Sequence, residues 1–383
     1  MAALSGLLVV SLEQALAAPL CSSELVRAGA RVIKIERAEG DFARDYDAVA
    51  EGNSAYFVWA NAGKESLVAN IKDPNDLNLL LKIISQADVF IQNLSPGAAE
   101  RAGLGAAKLG KLNPRLITCD ISGYGVNGPY QSMKAYDLLV QCETGLADIT
   151  GSAESPGRVG VSVCDISCGQ YAYAGILEAL LERANTGKGK HLNVSLFDSL
   201  AYWMNVPYLH QAYSGTAPKR VGLMHPSIAP YGAFTCAGGE RVVIAVQNNR
   251  EWRRLCDGVL EKPGMAEDAR FANNPDRVAN RVNLDTLIQD VIGALSVIQV
   301  RELLNVADVP YGMVNSVAAF ADHVQLRTQD VATATGVVSM VAHPLVDGAT
   351  YPFQKDEGDT EPGELPMVPE VGAHSESIRG EFS

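Results

Sequence analysis

The sequence predicts an α/β protein with a larger lobe built on a parallel sheet and a smaller α+β lobe. Over residues 1–200, short apolar runs alternate with helical patterns, and repeated strand–helix–strand units are typical of a parallel sheet covered on both faces. After Trp203 the composition changes, because glycine and proline recur at close intervals from 213 to 232. A chain of 383 residues usually divides into more than one core. Together these observations predict two lobes.

Five apolar runs in the first part of the chain have the length of buried strands. They are Leu7–Leu12, Arg31–Glu36, Ser66–Ile71, Asp88–Asn93 and Arg115–Ile121. Proline suits a first helical position and aspartate suits an N-cap, so Pro19, Pro74 and Asp73 indicate where helices begin. The predicted helices cover 19–29, 74–87, 96–102 and 167–184.

The smaller lobe is predicted from the sequence after the Gly/Pro-rich stretch. Residues 231–246 are typical of a β-hairpin, and helical patterns follow over 250–257 and 284–304. Residues 354–383 are polar and rich in proline and glycine, so we expect this tail to lie over the surface and not inside a core.

Composition excludes several classes of protein. The net charge of −13 argues against nucleic acid or an anionic membrane as a partner, and no apolar run reaches the ~18 residues of a membrane span. Seven cysteines without metal-type or redox-type spacing predict reduced thiols and no metal site. No basic residue precedes Arg27, as a secretion signal would require. The sequence therefore predicts a cytoplasmic protein.

Basic and amide side chains follow the predicted strands. Arg37, Lys72 and Asn93 each lie at or just beyond a strand end, and in an open parallel sheet these ends share the edge where ligands bind. Arg101 and Lys134 follow nearby. Cations and helix amino ends at one edge suit a phosphorylated ligand, although ordinary solvated charge is an equal alternative for each single residue.

Two further patterns have competing interpretations. Gly123–Gly128 fits G-x-G-x-x-G after a strand, but Pro129 and a polar stretch follow where the dinucleotide fingerprint needs a helix. We interpret it as a loop that a ligand orders. Asp165 lies among small residues before the long helix, where it either faces a substrate or caps the helix starting near Ser167, and spacing alone favours the cap.

A set of segments along nearly the whole chain matches one known family. They are 8–19, 29–37, 61–66, 87–93, 122–125, 136–137, 160–165, 186–190, 225–226, 230–231 and 369–375. In these segments the chain resembles the class III CoA-transferases, the family of formyl-CoA transferase and carnitine CoA-transferase. The resemblance implies that Asp165 is the catalytic aspartate. It places the family's CoA contacts on Leu16, Ala17, Arg37, Ala69, Lys72, Asn93, Leu94, Arg101, Lys134 and Tyr136.

The resemblance also implies an architecture. The expected layout is a Rossmann-like large domain over 1–200, a linker over 201–230, a small domain over 231–310 and a C-terminal segment over 311–383 that returns to the large domain. Family members form homodimers in which two subunits thread through each other like linked rings. Coenzyme A esters are then substrates, and no permanently bound cofactor is expected.

The implied reaction moves CoA from an acyl-CoA donor to a free carboxylate through an aspartyl anhydride and an aspartyl-CoA thioester on Asp165. Backbone amides near Gly123–Gly125 are expected to stabilise the oxyanions. The related α-methylacyl-CoA racemases carry a histidine where this chain has Tyr136, which favours transfer over racemisation. A polar substrate pocket with Gln14, Tyr136 and His225 suits short C4–C5 dicarboxylates. Intramolecular transfer between the two carboxyls of a C5 diacid, such as mesaconyl-CoA, stays open.

Overall fold

The structure is a computed structural model that describes residues 2–345 and 365–383. The described residues divide into two compact units. The first takes those within Met1–Leu146, Arg158–Leu209 and Val324–Ser383, and the second takes Ala147–Gly157 and His210–His323. Residues 201–230, which were expected as a linker, include a helix over Asn205–Ser214, and the predicted domain boundaries stay a prediction.

The first unit contains a six-stranded sheet whose neighbouring strands are all parallel. The strand order is β3-β2-β1-β4-β5-β6, the classic order of dinucleotide-binding folds. The strands are β1 (Leu8–Leu12), β2 (Arg31–Glu36), β3 (Glu65–Val68), β4 (Val89–Gln92), β5 (Ile117–Ser122) and β6 (His191–Ser195). The predicted parallel sheet is confirmed. Its edge strand β6 was not predicted, since two of its five residues are exposed and only Ser195 is fully buried.

Helices cover both faces of this sheet, as parallel sheets require. In β1, Val9 belongs to the core on one face and Val10 to the core on the other. The helices up to residue 214 are α1 (Ala17–Arg27), α2 (Ala55–Asn61), α3 (Pro74–Gln86), α4 (Ala98–Arg101), α5 (Ala106–Leu112), α6 (Asp137–Glu143), α7 (Leu146–Ile149), α8 (Val163–Thr186), α9 (Leu196–Trp203) and α10 (Asn205–Ser214). A 3-10 turn lies at Phe42–Asp45.

The second unit packs helices against a small antiparallel sheet, and its core includes Trp252, Phe271 and Ile288. The hairpin predicted over 231–246 is present as β7 (Tyr231–Thr235) and β8 (Arg241–Ala245), and β9 (Tyr311–Met313) extends it. The helices are α11 (Asn249–Gly258), α12 (Asn274–Ala279), α13 (Arg281–Ile292), α14 (Val297–Val306) and α15 (Val317–Ala321), with a 3-10 turn at Pro263–Ala266.

One predicted helix of this unit is in fact two helices. The pattern over 284–304 is interrupted because Ser296 caps the start of α14 in a capping box with Gln299. Among the residues that the structure describes, no helix is both long enough and apolar enough to cross a membrane.

The last described segment belongs to the first unit. It contains the hairpin β10 (Thr328–Thr333) and β11 (Gly336–Val341), and the helix α16 (Ser375–Glu381). Ile378 and Phe382 lie buried in the core beside the sheet, so the prediction of a surface tail is wrong for residues 365–383. The remainder of that prediction, 354–364, lies outside the described residues. Two apolar side chains in a polar segment suffice to anchor a short helix, which composition alone does not reveal.

Candidate active site

Starting from β1, the chain adds β2 and β3 on one side of the sheet and then β4, β5 and β6 on the other. The point between β1 and β4, where the strand order changes direction, is where open parallel sheets bind ligands. The loops after these two strands are joined through Asn93. Its side-chain carbonyl accepts the N–H of Gln14 at 3.0 Å, and its amide nitrogen donates to the Gln14 carbonyl at 2.8 Å. Asn93 was predicted as a CoA contact, and in this structure its amide holds the Gln14 loop in place.

A cavity of about 840 Å³ opens at this edge of the sheet. Its wall is formed by the loops after β1, β4 and β5, the start of α6, the Phe42–Tyr56 region and the start of α8. The lining residues are Gln14, Ala15, Leu16, Ala17, Phe42, Tyr46, Asp47, Tyr56, Asn93, Leu94, Ser95, Pro96, Ile121, Ser122, Gly123, Ser132, Met133, Lys134, Ala135, Tyr136, Asp137, Leu138, Arg158, Ser162, Asp165 and Leu196.

Asp165 lines this cavity from the first turn of α8. The helix begins at Val163, four residues before the predicted start near Ser167, so Asp165 is the third helical residue and not the N-cap. The capping interpretation is therefore wrong. The cap comes from another helix, because an Asp137 carboxylate oxygen accepts the backbone N–H of Cys164 at 2.8 Å.

The Asp165 carboxylate is half-buried, and among residues 2–345 and 365–383 no group donates a hydrogen bond or forms an ion pair with it. Burial raises its pKa to about 7, and the nearby Asp137 carboxylate adds to the shift because like charges disfavour ionisation. A carboxyl whose pKa is raised by burial and a like charge, in a cleft, is a candidate catalytic group.

Asp137 is itself held by Gln141, a fully buried residue one turn further along α6. The Gln141 amide nitrogen donates to Asp137 at 2.7 Å, and its carbonyl oxygen accepts the N–H of Val159 at 2.9 Å. Sequence reasoning did not assign a role to Gln141. The four-residue spacing of Asp137 and Gln141 on one helix was the sequence signal that could have indicated a contact between their side chains.

The loop that carries Gln14 lies over a buried cluster of charges. Ala15 has a left-handed backbone (φ 63°), and its N–H donates to Asp41 at 3.1 Å. Glu13 pairs with Lys64 at 2.7 Å and with Lys34 at 3.4 Å, while Lys34 also pairs with Asp41 at 2.9 Å. Burial raises the pKa of Glu13, but the two ammonium groups outweigh it and lower this pKa to about 2. The cluster thus supports the part of the cavity wall that is formed by the loop carrying Gln14.

Aromatic side chains that sequence analysis did not single out form another part of the wall. Tyr46 contacts Tyr56 edge-on with 5.6 Å between ring centroids, and Phe42 lies 5.8 Å from Tyr46. Burial raises the pKa of Tyr46 to about 12, with contributions from the carboxylates of Asp41 and Asp165. Its hydroxyl therefore stays protonated at neutral pH and can donate a hydrogen bond. Phe42 and Tyr46 lie in and just after a short 3-10 turn, and Tyr56 lies in the short helix α2, so none of them belongs to a long periodic pattern.

Of the residues that the resemblance assigned to CoA, several line the cavity and others do not. Leu16, Ala17, Asn93, Leu94, Lys134 and Tyr136 line it, whereas Arg37, Ala69, Lys72 and Arg101 lie elsewhere. Lys72 is further from the sheet edge in sequence than predicted, because β3 ends at Val68 and not at Ile71. Arg37, Lys72 and Arg101 are exposed, and within the described part of the chain none has an ion-pair partner. Their role in binding CoA stays a prediction.

The remaining predicted site residues are divided between the units. Gln14 and Tyr136 line the cavity. His225 belongs to the second unit, where its ring stacks on Tyr231 at 5.2 Å, and its place in a substrate pocket stays a prediction.

Gly123 lines the cavity, but the N–H of Gly125 donates to the Ser122 hydroxyl at 3.1 Å. That amide is therefore not available as the expected oxyanion donor.

Comparisons with known proteins agree with this architecture. The family model described as CoA-transferase family III matches residues 4–375. An acetyl-CoA:oxalate CoA-transferase from Acetobacter aceti is 35% identical over 381 residues, covering 99% of this chain and 95% of that protein. A succinate–glutarate CoA-transferase from Agrobacterium fabrum is 35% identical over 338 residues, covering 85% of this chain and 83% of that protein.

A solved structure agrees as well. A CAIB/BAIF family protein from Brucella suis matches with a TM-score of 0.82 at 33% sequence identity, covering 99% of both chains. The parallel sheet and the cavity at its switch point define an α/β protein with a cavity at the carboxyl edge of the strands, where open parallel sheets bind ligands. The chain belongs to CoA-transferase family III, and it is a class III CoA-transferase. The resemblance predicted from the sequence is confirmed.

Proposed function

We propose that this enzyme moves CoA from an acyl-CoA donor to a short dicarboxylate, with Asp165 as the nucleophile. One observation carries the proposal. The Asp165 carboxylate lines the large cavity, and no hydrogen-bond donor or cation among the described residues compensates its charge.

The surroundings of Asp165 favour its acylated forms over its free anion. Burial and the Asp137 carboxylate both oppose a negative charge at this position. An anhydride or a thioester of Asp165 carries no charge there, so acylation removes the burial penalty and the repulsion together. A site that destabilises the carboxylate in this way lowers the barrier to its attack on a thioester.

The reaction then proceeds in balanced steps. An Asp165 oxygen attacks the donor thioester carbonyl, the C–S bond breaks, and a mixed anhydride and CoA thiolate form. The thiolate attacks the Asp165 carbonyl, which releases the donor acid and leaves an aspartyl-CoA thioester. The acceptor carboxylate attacks that thioester and regenerates an anhydride and CoA thiolate. Attack of the thiolate on the acceptor acyl carbonyl gives the new CoA ester and the free Asp165 carboxylate.

Two observations support a dicarboxylate substrate. The similar enzymes named above act, by their names, on oxalate, succinate and glutarate, which all carry two carboxylates. The cavity is also lined by the amide of Gln14, the hydroxyl of Tyr136 and the cations of Lys134 and Arg158. Such a wall suits an acid with a second charged group better than a long apolar acyl chain.

The nucleophile is tested by trapping. Purified protein is incubated with succinyl-CoA and then with hydroxylamine, which attacks an aspartyl anhydride or thioester and leaves a hydroxamate on the aspartate. Peptide mass spectrometry should find that hydroxamate on Asp165. Asp165→Ala and Asp165→Asn should lower transfer by about 10⁴-fold or more. Asp45→Asn, which changes an exposed carboxylate that does not line the cavity, serves as the control.

The substrate class is tested by a mass-spectrometric screen. Acetyl-CoA, succinyl-CoA and mesaconyl-CoA are offered as donors with oxalate, C4–C5 diacids, carnitine-like monocarboxylates and bulky aromatic acids as acceptors. Mesaconyl-CoA without an acceptor tests intramolecular transfer. We expect the diacids to be preferred. Preference for bulky acids would contradict the substrate class, and substantial transfer by Asp165→Ala would contradict the nucleophile.

A further inference from the structure

Arg158 is a further charged residue on the wall of the cavity that Asp165 lines. Its guanidinium has no counter-ion in the described structure. Its guanidinium donates only to two neutral carbonyls of its own loop, that of Val159 at 3.1 Å and that of Gly160 at 3.2 Å. None of the carboxylates within residues 2–345 and 365–383 lies at ion-pair distance from it. Its side chain is exposed to the cavity and to solvent.

The backbone beside Arg158 is connected to the turn that carries Asp165. Gln141 accepts the N–H of Val159 at 2.9 Å and donates to Asp137 at 2.7 Å. Asp137 in turn accepts the N–H of Cys164 at 2.8 Å, next to Asp165. Because Gln141 is fully buried, this chain of hydrogen bonds holds the two segments in a defined relation. The backbone that carries Arg158 is therefore held at a defined place relative to the turn of Asp165.

A dicarboxylate needs such a cation. When one of its carboxyl groups reacts at Asp165, the other stays ionised inside a cavity whose wall also carries the carboxylates of Asp47 and Asp137. The planar guanidinium of an arginine binds a carboxylate through two parallel hydrogen bonds. On binding the substrate, the Arg158 guanidinium would exchange its two neutral carbonyl acceptors for the charged oxygens of the carboxylate. Lys134 also lines the cavity, but the resemblance assigns it to the binding of CoA.

We propose that Arg158 binds the non-reacting carboxylate of the substrate and so selects dicarboxylates over monocarboxylates. This inference rests on the proposed function, since it specifies the substrate of the same cavity. It makes Arg158 a residue that determines specificity, distinct from the residues expected to hold CoA.

The test uses two CoA esters of equal chain length, succinyl-CoA and butyryl-CoA, which differ in one terminal carboxylate and share the whole CoA moiety. Their dissociation constants are measured by calorimetry on full-length protein carrying Asp165→Asn, so that no turnover occurs. Arg158→Gln and Arg158→Lys are compared with Arg115→Gln. Arg115 is an exposed arginine whose guanidinium, within the described part of the chain, also donates only to a backbone carbonyl, and it does not line the cavity.

We expect Arg158→Gln to weaken succinyl-CoA binding by about 10- to 100-fold, the loss of a charge-assisted contact, and to leave butyryl-CoA within about 2-fold. For Arg158→Lys, the dissociation constant of succinyl-CoA should lie between those of the wild-type residue and Arg158→Gln, because lysine keeps the charge but cannot form two parallel hydrogen bonds to a carboxylate. Arg115→Gln should change neither ester. An unchanged preference for succinyl-CoA in Arg158→Gln would overturn the inference. An equal loss for both esters would also overturn it, because it would place Arg158 on the CoA moiety.

A kinetic measurement separates this inference from the proposed function. In enzyme with Asp165 intact, Arg158→Gln should lower kcat/KM for succinyl-CoA and leave that for acetyl-CoA near the wild-type value. If wild-type protein transfers CoA to no carboxylate, the proposed function fails, while the binding comparison still decides the role of Arg158. If transfer occurs and the binding preference survives the substitution, only the role of Arg158 is refuted.

Discussion

Asp165 differs from an ordinary surface aspartate because burial and a neighbouring carboxylate oppose its charge. Its third position in α8 would normally favour a negative charge, through the amino end of the helix. Burial and Asp137 outweigh that effect and raise its pKa to about 7. Asp137 in turn receives the N–H of Cys164 and the amide of Gln141. The donors of this region therefore stabilise the charge of Asp137 and leave that of Asp165 uncompensated.

The first prediction concerns the pH dependence of transfer. Only ionised Asp165 can attack a thioester, so kcat/KM should rise with pH through about 7 and fall at lower pH as the carboxyl is protonated. Asp137→Asn removes the like charge and should move this inflection to lower pH. The pH profiles of the two proteins are compared. An inflection that stays in place, or moves upward, would show that Asp137 does not act on Asp165.

The second prediction concerns stability. A carboxyl whose pKa is higher in the folded state than in the unfolded state destabilises the fold as pH rises from about 4 to about 7. Asp165→Asn removes this charge and should raise Tm by a few degrees at pH 8. At pH 4 the difference should vanish, because wild-type Asp165 is then protonated when folded. Thermal unfolding at both pH values checks this, and equal Tm values at pH 8 would contradict it.

At the scale of elements, the cavity wall depends on the cluster of Glu13, Lys34, Lys64 and Asp41 beneath the loop after β1. All four side chains are buried, and β1, β2, the 3-10 turn and the segment after α2 each contribute or adjoin one member. A buried charge that loses its partner is costly, because desolvation is no longer offset. The cluster therefore couples the position of the loop to the pairing of strands behind it.

The third prediction tests this cluster. Lys64→Met removes the closer of the two cations that pair with Glu13, so the pKa of Glu13 should rise from about 2. The substitution should lower the free energy of unfolding by about 3–5 kcal/mol, measured with urea. Lys190→Met is the matched control, since Lys190 and Glu182 form an ion pair that is about half exposed, and its loss should have a much smaller effect on the free energy of unfolding. Equal effects of the two substitutions would contradict the structural role of the cluster.

At the scale of the whole molecule, the first unit presents an unusually apolar surface on α9 and the start of α10. Val206 and Tyr208 are 64% and 66% exposed, and Tyr202, Trp203 and Leu209 beside them are also exposed. Contiguous exposed apolar residues of this kind mark protein interfaces. We propose that a second copy of the chain covers this surface, in agreement with the interlocked homodimer that the family resemblance implies.

The fourth prediction concerns this assembly. Light scattering after size-exclusion chromatography should give twice the mass of one chain. Linked subunits cannot separate while folded, so dilution should not release monomers, and dissociation and unfolding in urea should coincide. Val206→Arg should lower the urea concentration at which the dimer dissociates and unfolds, whereas Val306→Arg, at another exposed helical valine, should leave it unchanged. A folded monomer in wild-type protein would refute the dimer.

By itself, the sequence determined the parallel sheet, the family and the identity of the candidate nucleophile. Buried parallel strands are continuous apolar runs, and their pattern depends on local residues alone. For the same reason the predicted cores of β1, β2 and β4 agree with the structure to within a residue or two. The family resemblance identified Asp165 as the candidate nucleophile, where spacing alone favoured a cap.

Only the tertiary structure decided what surrounds Asp165. The Asp137 carboxylate and the Gln141 amide belong to α6, and their hydrogen bonds join α6 to the N–H of Cys164 in α8 and to the N–H of Val159 in the loop before α8. The burial of Ile378 and Phe382 beside the sheet likewise depends on contacts far apart in the chain. Charge compensation and burial are properties of distances between such segments, and no local pattern of residues encodes those distances.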